Sequence, residues 1–325
     1  MFGFSNIHLF IALLILAVFN DSIMVSAHPS RAIKKRPSDT SSASRQRRLT
    51  RMTTEDQDAA FLAVVSANFK NAGPEPVYSG SIISPKCVLT YFDQLTEKFW
   101  EPTGQIVDGA TLTAGVQSSA RPTDIQTRFA PIANIVPFPG QTPESRNDVN
   151  SLFRNSMALV KVEQAFILGT GVKSIKIARN VGPSLLNVNN LGIYTHIITN
   201  KVTLAAATKK ANASVEGVEC PKSIPRYIGS VNTTVTSCVT VEPLDSSSCV
   251  QLPEGSAAVL RGSDDTLYLT AMTKGDICKT SPTTVFLGSS MAFSDHLDTI
   301  CNEPDVDCAE AKYRFARRKL NAVLY

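Results

Sequence analysis

The sequence predicts an all-β body, and three observations carry that reading. From Phe61 onward, short apolar or alternating runs are divided by Gly, Pro, Asn and Ser at regular intervals, the pattern of a barrel or sandwich. No internal repeat of solenoid length is visible, and helical periodicity emerges only near the C-terminus, at Met291–Ile300 and again in 309–320. Charged residues make up 18% and the hydrophobic set 43% of 325 residues, which excludes a disordered chain, a collagen-like chain and a coiled coil. A chain of this length buries sizeable cores, as one large domain or two ordinary ones.

In chain order, the first element is a leader. His8–Phe19 is an apolar stretch too short for a comfortable bilayer span, followed by polar Asn20-Asp21 and by the small residues Ala27 and, two before it, Val25. This predicts a secretory signal peptide over 1–27, cleaved after Ala27, although a basic n-region is missing. It is the one long apolar run, so a stable membrane span in the body is not expected. Residues 28–54 are rich in Ser, Thr and Arg without apolar periodicity and read as a disordered basic leader. Residues 28–51 hold eight Lys and Arg against Asp39 alone, whereas 52–325 hold 24 basic and 26 acidic residues. The net charge of +4 therefore belongs to the leader, and nothing in the body asks for nucleic acid. Within the leader, Arg45-Gln46-Arg47-Arg48 has the form read by furin-like convertases; the alternative is an uncut charged linker.

The strands expected in the body are 61–69, 81–84, 86–92, 157–162, 193–199, 267–273 and 284–288. Seven cysteines (Cys87, Cys220, Cys238, Cys249, Cys278, Cys301 and Cys308) behind a secretory signal predict disulfides and one thiol left over. Asn212 and Asn232 head N-glycosylation sequons. There is no Gly-rich phosphate loop and no Cys/His pair at zinc spacing, so no metal and no cofactor are expected.

Four segments give the body a resemblance. Tyr78–Asp93 is similar to the CGGSLI…WVLTAAHC segment of trypsin-like serine proteases, Asn155–Val162 to NDIALLKL, Glu254–Leu260 to GDSGGPL and Thr273–Cys278 to SWGxxC. They occur in the family's order over roughly residues 60–300. The resemblance implies two six-stranded antiparallel β-barrels, over 55–165 and 166–300, with a terminal helix, then a small disulfide loop and basic tail over 301–325.

Carried over by position, the catalytic set fails. The family's His falls on Asp93 and its Asp on Ser156, leaving only the nucleophile position, Ser256. A serine hydroxyl is a poor nucleophile without an oriented base, and a carboxylate with a pKa of about 4 accepts its proton poorly at neutral pH. His196 and His296 lie outside the motif positions. Ser256 then reads either as a polar loop residue or as a residual nucleophile, and no peptidase activity is expected.

Other losses are matched. The Asp that pairs with a freed N-terminus in the family is Gly255, and no Ile-Val-Gly-Gly follows the basic site. The first-barrel disulfide has lost both ends, to Tyr78 and Gln94. The resemblance implies bridges Cys220–Cys238 and Cys249–Cys278, while Cys301–Cys308 rests on proximity alone. Cys87 stands where the family has a Trp within a strand, which suggests a buried free thiol. Three extra residues before Ser256 and Ala257-Ala258 in place of two glycines alter the pocket the family uses. In 309–325, Tyr313, Ala316 and Leu320 share a helical stripe flanked by Arg and Lys, either a capping helix or a basic docking tail.

These features are similar to the glucanase inhibitor proteins of oomycete plant pathogens. The resemblance implies a secreted, catalytically inactive serine protease homologue that binds and inhibits an extracellular host protein, an endo-β-1,3-glucanase or a protease, in the apoplast. The leader suggests a second reading. A Ser/Thr/Arg-rich spacer, an Arg-rich tetrapeptide at 45–48 and acidic Glu55, Asp56 and Asp58 resemble the leader of RxLR-type effectors, although the motif's Leu and final Arg do not fall together. That reading implies translocation into plant cells to suppress defence or cell death. A residual serine hydrolase is the third reading.

Overall fold

The computed structural model describes residues 54–70, 72–91, 95, 106–116, 124–137, 157–179, 191–200, 205–214, 236–241, 254–277, 283–288 and 294–312. Outside them lie the expected signal peptide, the motif Arg45–Arg48, the positions Asp93 and Ser156, Asn232, Cys220, Cys249, Cys278 and the tail from Tyr313. The described residues are mostly strand, so the protein is all-β, and they fall within one compact unit, Thr50–Tyr325.

Helix α1 (Thr54–Asp58) leads through buried Ala59, Ala60 and Phe61 into β1 (Leu62–Phe69). β1 is buried along nearly its whole length, which is why its first half reads as an apolar run and not as an alternation. β2 (Ala72–Ser84) returns antiparallel to it and turns at Pro85-Lys86 into β3 (Cys87–Tyr91). Proline suits that turn because its φ is already fixed. β4 (Val107–Ala114) pairs with β1 on the other side and with β5 (Gln126–Pro131). A 3-10 turn, Ile132–Asn134, carries the chain straight on into β6 (Ile135–Pro137), which pairs with β7 (Met157–Lys161), itself paired with β3. The sheet order is β5-β4-β1-β2-β3-β7-β6, so its two ends are neighbouring segments of one strand broken by a turn.

The second sheet comprises β8 (Lys176–Ala178), β9 (Leu191–Asn200), β10 (Ala205–Ser214), β11 (Thr236–Val241), β12 (Ala257–Arg261), β13 (Leu267–Ile277), β14 (Thr283–Gly288) and β15 (Cys308–Ala309). Its order is β12-β9-β10-β11-β14-β13-β8-β15, and β12 pairs with β13 as well as with β9. The pairing therefore returns on itself, with β8 and β15 added alongside β13 in parallel. Asn212 lies in β10, opposite Gly192 of β9.

Helix α2 (Ser294–Cys301) precedes the bond Cys301–Cys308. Lys161 of β7 reaches Glu303 in that loop, and Arg179 reaches Asp298 of α2. Cys308 and Ala309 are a strand, while the helix expected along 309–320 lies mostly outside the described residues. The amides of Ile177 and Arg179 take the carbonyls of Asp307 and Ala309, and that ladder holds the segment extended. Cys238 is also disulfide-bonded. One apolar core runs through both sheets and includes Tyr78, Tyr91, Leu89 and Tyr194, with the Phe61 ring edge-on to Tyr194 at 5.8 Å.

Candidate functional site

Ser256 stands at the entry to β12, where the second sheet meets β2 and β3 of the first. The backbone fixes it from both sides. Ser79 of β2 donates its amide to the Glu254 carbonyl at 2.9 Å, and the Ser79 carbonyl accepts the Thr90 hydroxyl at 3.0 Å. Gly255 donates to Thr273 O at 3.0 Å, and Thr273 donates back to Ser256 O at 2.8 Å. Gly255 has φ +80°, and a Cβ there would lie 2.1 Å from the Ser79 carbonyl oxygen. Only glycine meets both conditions.

The Ser256 hydroxyl is wholly buried. It donates to Thr195 Oγ1 on β9 at 2.7 Å, and Thr195 is equally buried. Thr195 Oγ1 in turn lies 3.4 Å from the His196 carbonyl. Ser256 and Thr195 thus belong to a chain of neutral hydroxyl and carbonyl groups. The imidazole of His196 takes no part in that chain. Successive strand residues face opposite sides, so with Thr195 turned to Ser256 the imidazole of His196 is turned away.

That imidazole is 1% exposed, and neither ring nitrogen has a hydrogen-bond partner. Desolvation lowers its pKa to about 4, so it is neutral at physiological pH. His296, on α2, is buried as well.

Ala257 and Ala258 are fully buried and pair with Tyr194 and Ile193 of β9 on one side and with Met272 and Ala271 of β13 on the other. The positions where the resemblance places two glycines are here the middle of a sheet. Cys87 is a free, buried thiol whose pKa is raised by burial, against the opposing effect of a bond from Ser84. Among the described residues no three His, Cys, Asp or Glu side chains come together as a metal site, and no helix is long and apolar enough to cross a membrane.

Two contacts at this junction leave no local trace in the sequence. Thr195 is 61 residues from Ser256 and meets it only through the pairing of β9 with β12. Asp58 of α1 forms an ion pair with Arg261, 203 residues away, and Arg261 also holds Asp265 of the next turn at 2.7 Å. The glycine at 255 was the one available signal, since a Gly-Ser step before an apolar run marks a tight turn into a strand.

No protein-family model matches this chain, and no curated protein matches it in sequence.

Proposed function

We propose that this is a secreted, catalytically inactive homologue of trypsin-like serine proteases that acts by binding an extracellular host protein. The observation that carries the reading is the Ser256 hydroxyl, buried and donated to Thr195, on a loop still held in place by Gly255 and Ser79. A nucleophile needs access to its substrate and a base at its proton. Here the loop is kept while its hydroxyl is enclosed, without the access that a nucleophile needs.

Two six-stranded barrels are the architecture we infer. In support, β12-β9-β10-β11-β14-β13 is a circuit of six pairings closed by β12–β13, and the first sheet begins and ends on the two halves of one broken strand. Such a scaffold offers loop surface for a macromolecular partner without needing chemistry. The bonds at Cys301–Cys308 and Cys238 favour an oxidising, extracellular site of action over the reducing interior of a host cell, and so the inhibitor reading over the translocated-effector reading.

The test has two arms. The secreted protein is incubated with plant apoplastic extract, what it retains is identified by mass spectrometry, and β-1,3-glucanase activity is measured with and without it. In parallel the protein is treated with a fluorophosphonate probe. A retained glucanase with lowered activity and an unlabelled Ser256 are expected. Stoichiometric labelling of Ser256 would establish the hydrolase reading instead.

A further inference from the structure

The segment closed by Cys301 and Cys308 lies at an edge of the second sheet. β15 is the last strand in the sheet order, beyond β8, and is only two residues long. Among the described residues, three kinds of contact hold the segment besides the disulfide. The amides of Ile177 and Arg179 donate to Asp307 O at 2.9 Å and to Ala309 O at 3.0 Å. Lys161 pairs with Glu303 at 2.5 Å, Lys176 with Asp307 at 2.8 Å, and Arg179 with Asp298 of α2 at 3.0 Å. Val306 and Cys308 pack, partly buried, against the core.

These contacts are a weak hold. The Asp307 side chain is 55% and that of Asp298 87% exposed, and ion pairs so open to water contribute little. Asn302, Pro304, Asp305 and Asp307 are all exposed, so apolar burial beneath the segment is slight. Cys301 and Cys308 are themselves only half-buried, whereas Cys238, half of another disulfide, is buried in β11 between β10 and β14. An exposed disulfide over a weakly held edge is the kind that is labile to thiols, and such an edge opens without the rest of the fold.

We propose that the Cys301–Cys308 bond is a redox-sensitive latch. In an oxidising medium it keeps residues 302–309 on the edge of β8; once it is reduced by a dithiol, that segment opens while the body stays folded. The exchange is balanced by the dithiol alone. Its thiolate attacks one cysteine sulfur, breaks the Cys301–Cys308 bond and forms a mixed disulfide. Its second thiol then displaces the protein sulfur, leaving two protein thiols and an oxidised dithiol. Two electrons and two protons have passed to the protein. Opening strips the Ile177 and Arg179 amides of their acceptors and makes β8 the outermost strand, an edge available for pairing with another extended chain. The latch needs no partner and stands whether or not the body binds a host protein.

The test treats the full secreted chain with dithiothreitol at neutral pH, pulses it with iodoacetamide, and maps the alkylated cysteines by mass spectrometry. Cys301 and Cys308 should be labelled while Cys87, free and buried, stays unlabelled and so reports an intact body. Hydrogen exchange at Ile177 and Arg179 should rise about 50-fold, the closure entropy of so short a loop, and should outpace exchange in β1 and β3. Oxidised glutathione should restore both the bond and the protection. The double variant Cys301→Ser with Cys308→Ser should exchange like the reduced chain with no reductant present, which separates this bond from the others.

Alkylation of Cys301 and Cys308 only together with Cys87 would overturn the latch, since the bond would then yield only when the body unfolds. So would exchange at Ile177 and Arg179 that reduction leaves unchanged, or that proceeds no faster than in β1 once the bond is open. A reduced chain that oxidised glutathione cannot close again would overturn it as well. Should the double variant fail to fold, alkylation and exchange of the reduced wild-type chain decide the matter.

Discussion

Gly255→Ala tests how the loop at Ser256 is held. The new Cβ would sit 2.1 Å from the Ser79 carbonyl oxygen, far inside contact distance, on a residue with φ +80°. Left-handed backbone costs a non-glycine residue about 1–2 kcal/mol. Relieving the overlap adds a strain of about 1–3 kcal/mol typical of overpacked sites. The neighbouring atoms have little room to give. Ser79 N is bonded to Glu254 O, Ser79 O accepts from Thr90, and Gly255 N is bonded to Thr273 O. The loss should therefore be about 3 kcal/mol, a fall of roughly 6–12 °C in Tm for a body of this size. Thermal unfolding followed by circular dichroism would measure it, with Gly73→Ala as the control, because a Cβ at Gly73 meets nothing within 4 Å. A Gly255→Ala variant that melts with the control would refute the argument that this contact fixes the loop.

Four further outcomes are expected. His196 is lowered to about 4 from an ordinary 6.5, so the unfolded chain binds the extra proton first as pH falls. Its contribution is complete above pH 6.5, is lost through the interval down to about 4, and amounts to roughly 3 kcal/mol; a stability–pH curve of His196→Phe parallel to wild type in that window would contradict this. Cys301→Ser should cost about 2–3 kcal/mol, from the short loop its bond with Cys308 closes, measured as a lowered midpoint in urea. Cys87 should resist a disulfide reagent in the native state and react once in denaturant, since it is buried and its pKa is raised. Asp93→His combined with Ser156→Asp should stay unlabelled by fluorophosphonate, because Ser256 remains enclosed with its proton on Thr195.

The parts of the fold legible in the sequence are those whose own residues declare them. β1, β3 and β7 are mostly β-branched or apolar, and expected and observed bounds differ by a residue or so. β10 is different. Its sequence AAATKKANAS has weak strand propensity, and it is extended because β9 pairs along it and β11 meets its far end. β8 and β15 are three and two residues long and exist only through parallel ladders to partners far along the chain, which no local pattern encodes. The break between β5 and β6 had a signal, Pro131 ahead of the 3-10 turn. At the site, Gly255 and Ser256 were visible through their resemblance to a family segment, whereas Thr195 was not, since its role arises from strand register.

On the reading proposed above, the geometry also bears on whether a catalytic site was lost by a few exchanges or built over. If only the base and its orienting partner were missing, Ser256 would keep an open hydroxyl awaiting them. Instead its oxygen is enclosed and bonded to a threonine on the neighbouring strand, two alanines continue β12 directly behind it, and the Ser79 carbonyl occupies the space a side chain at 255 would need. In the resemblance that side chain is an Asp answering a freed N-terminus. Here the chain entering β1 is instead held by Asp58 to Arg261, an ion pair that no cleavage has to create. Each contact stabilises the enclosed arrangement of Ser256, so on that reading opening the site would require several simultaneous changes.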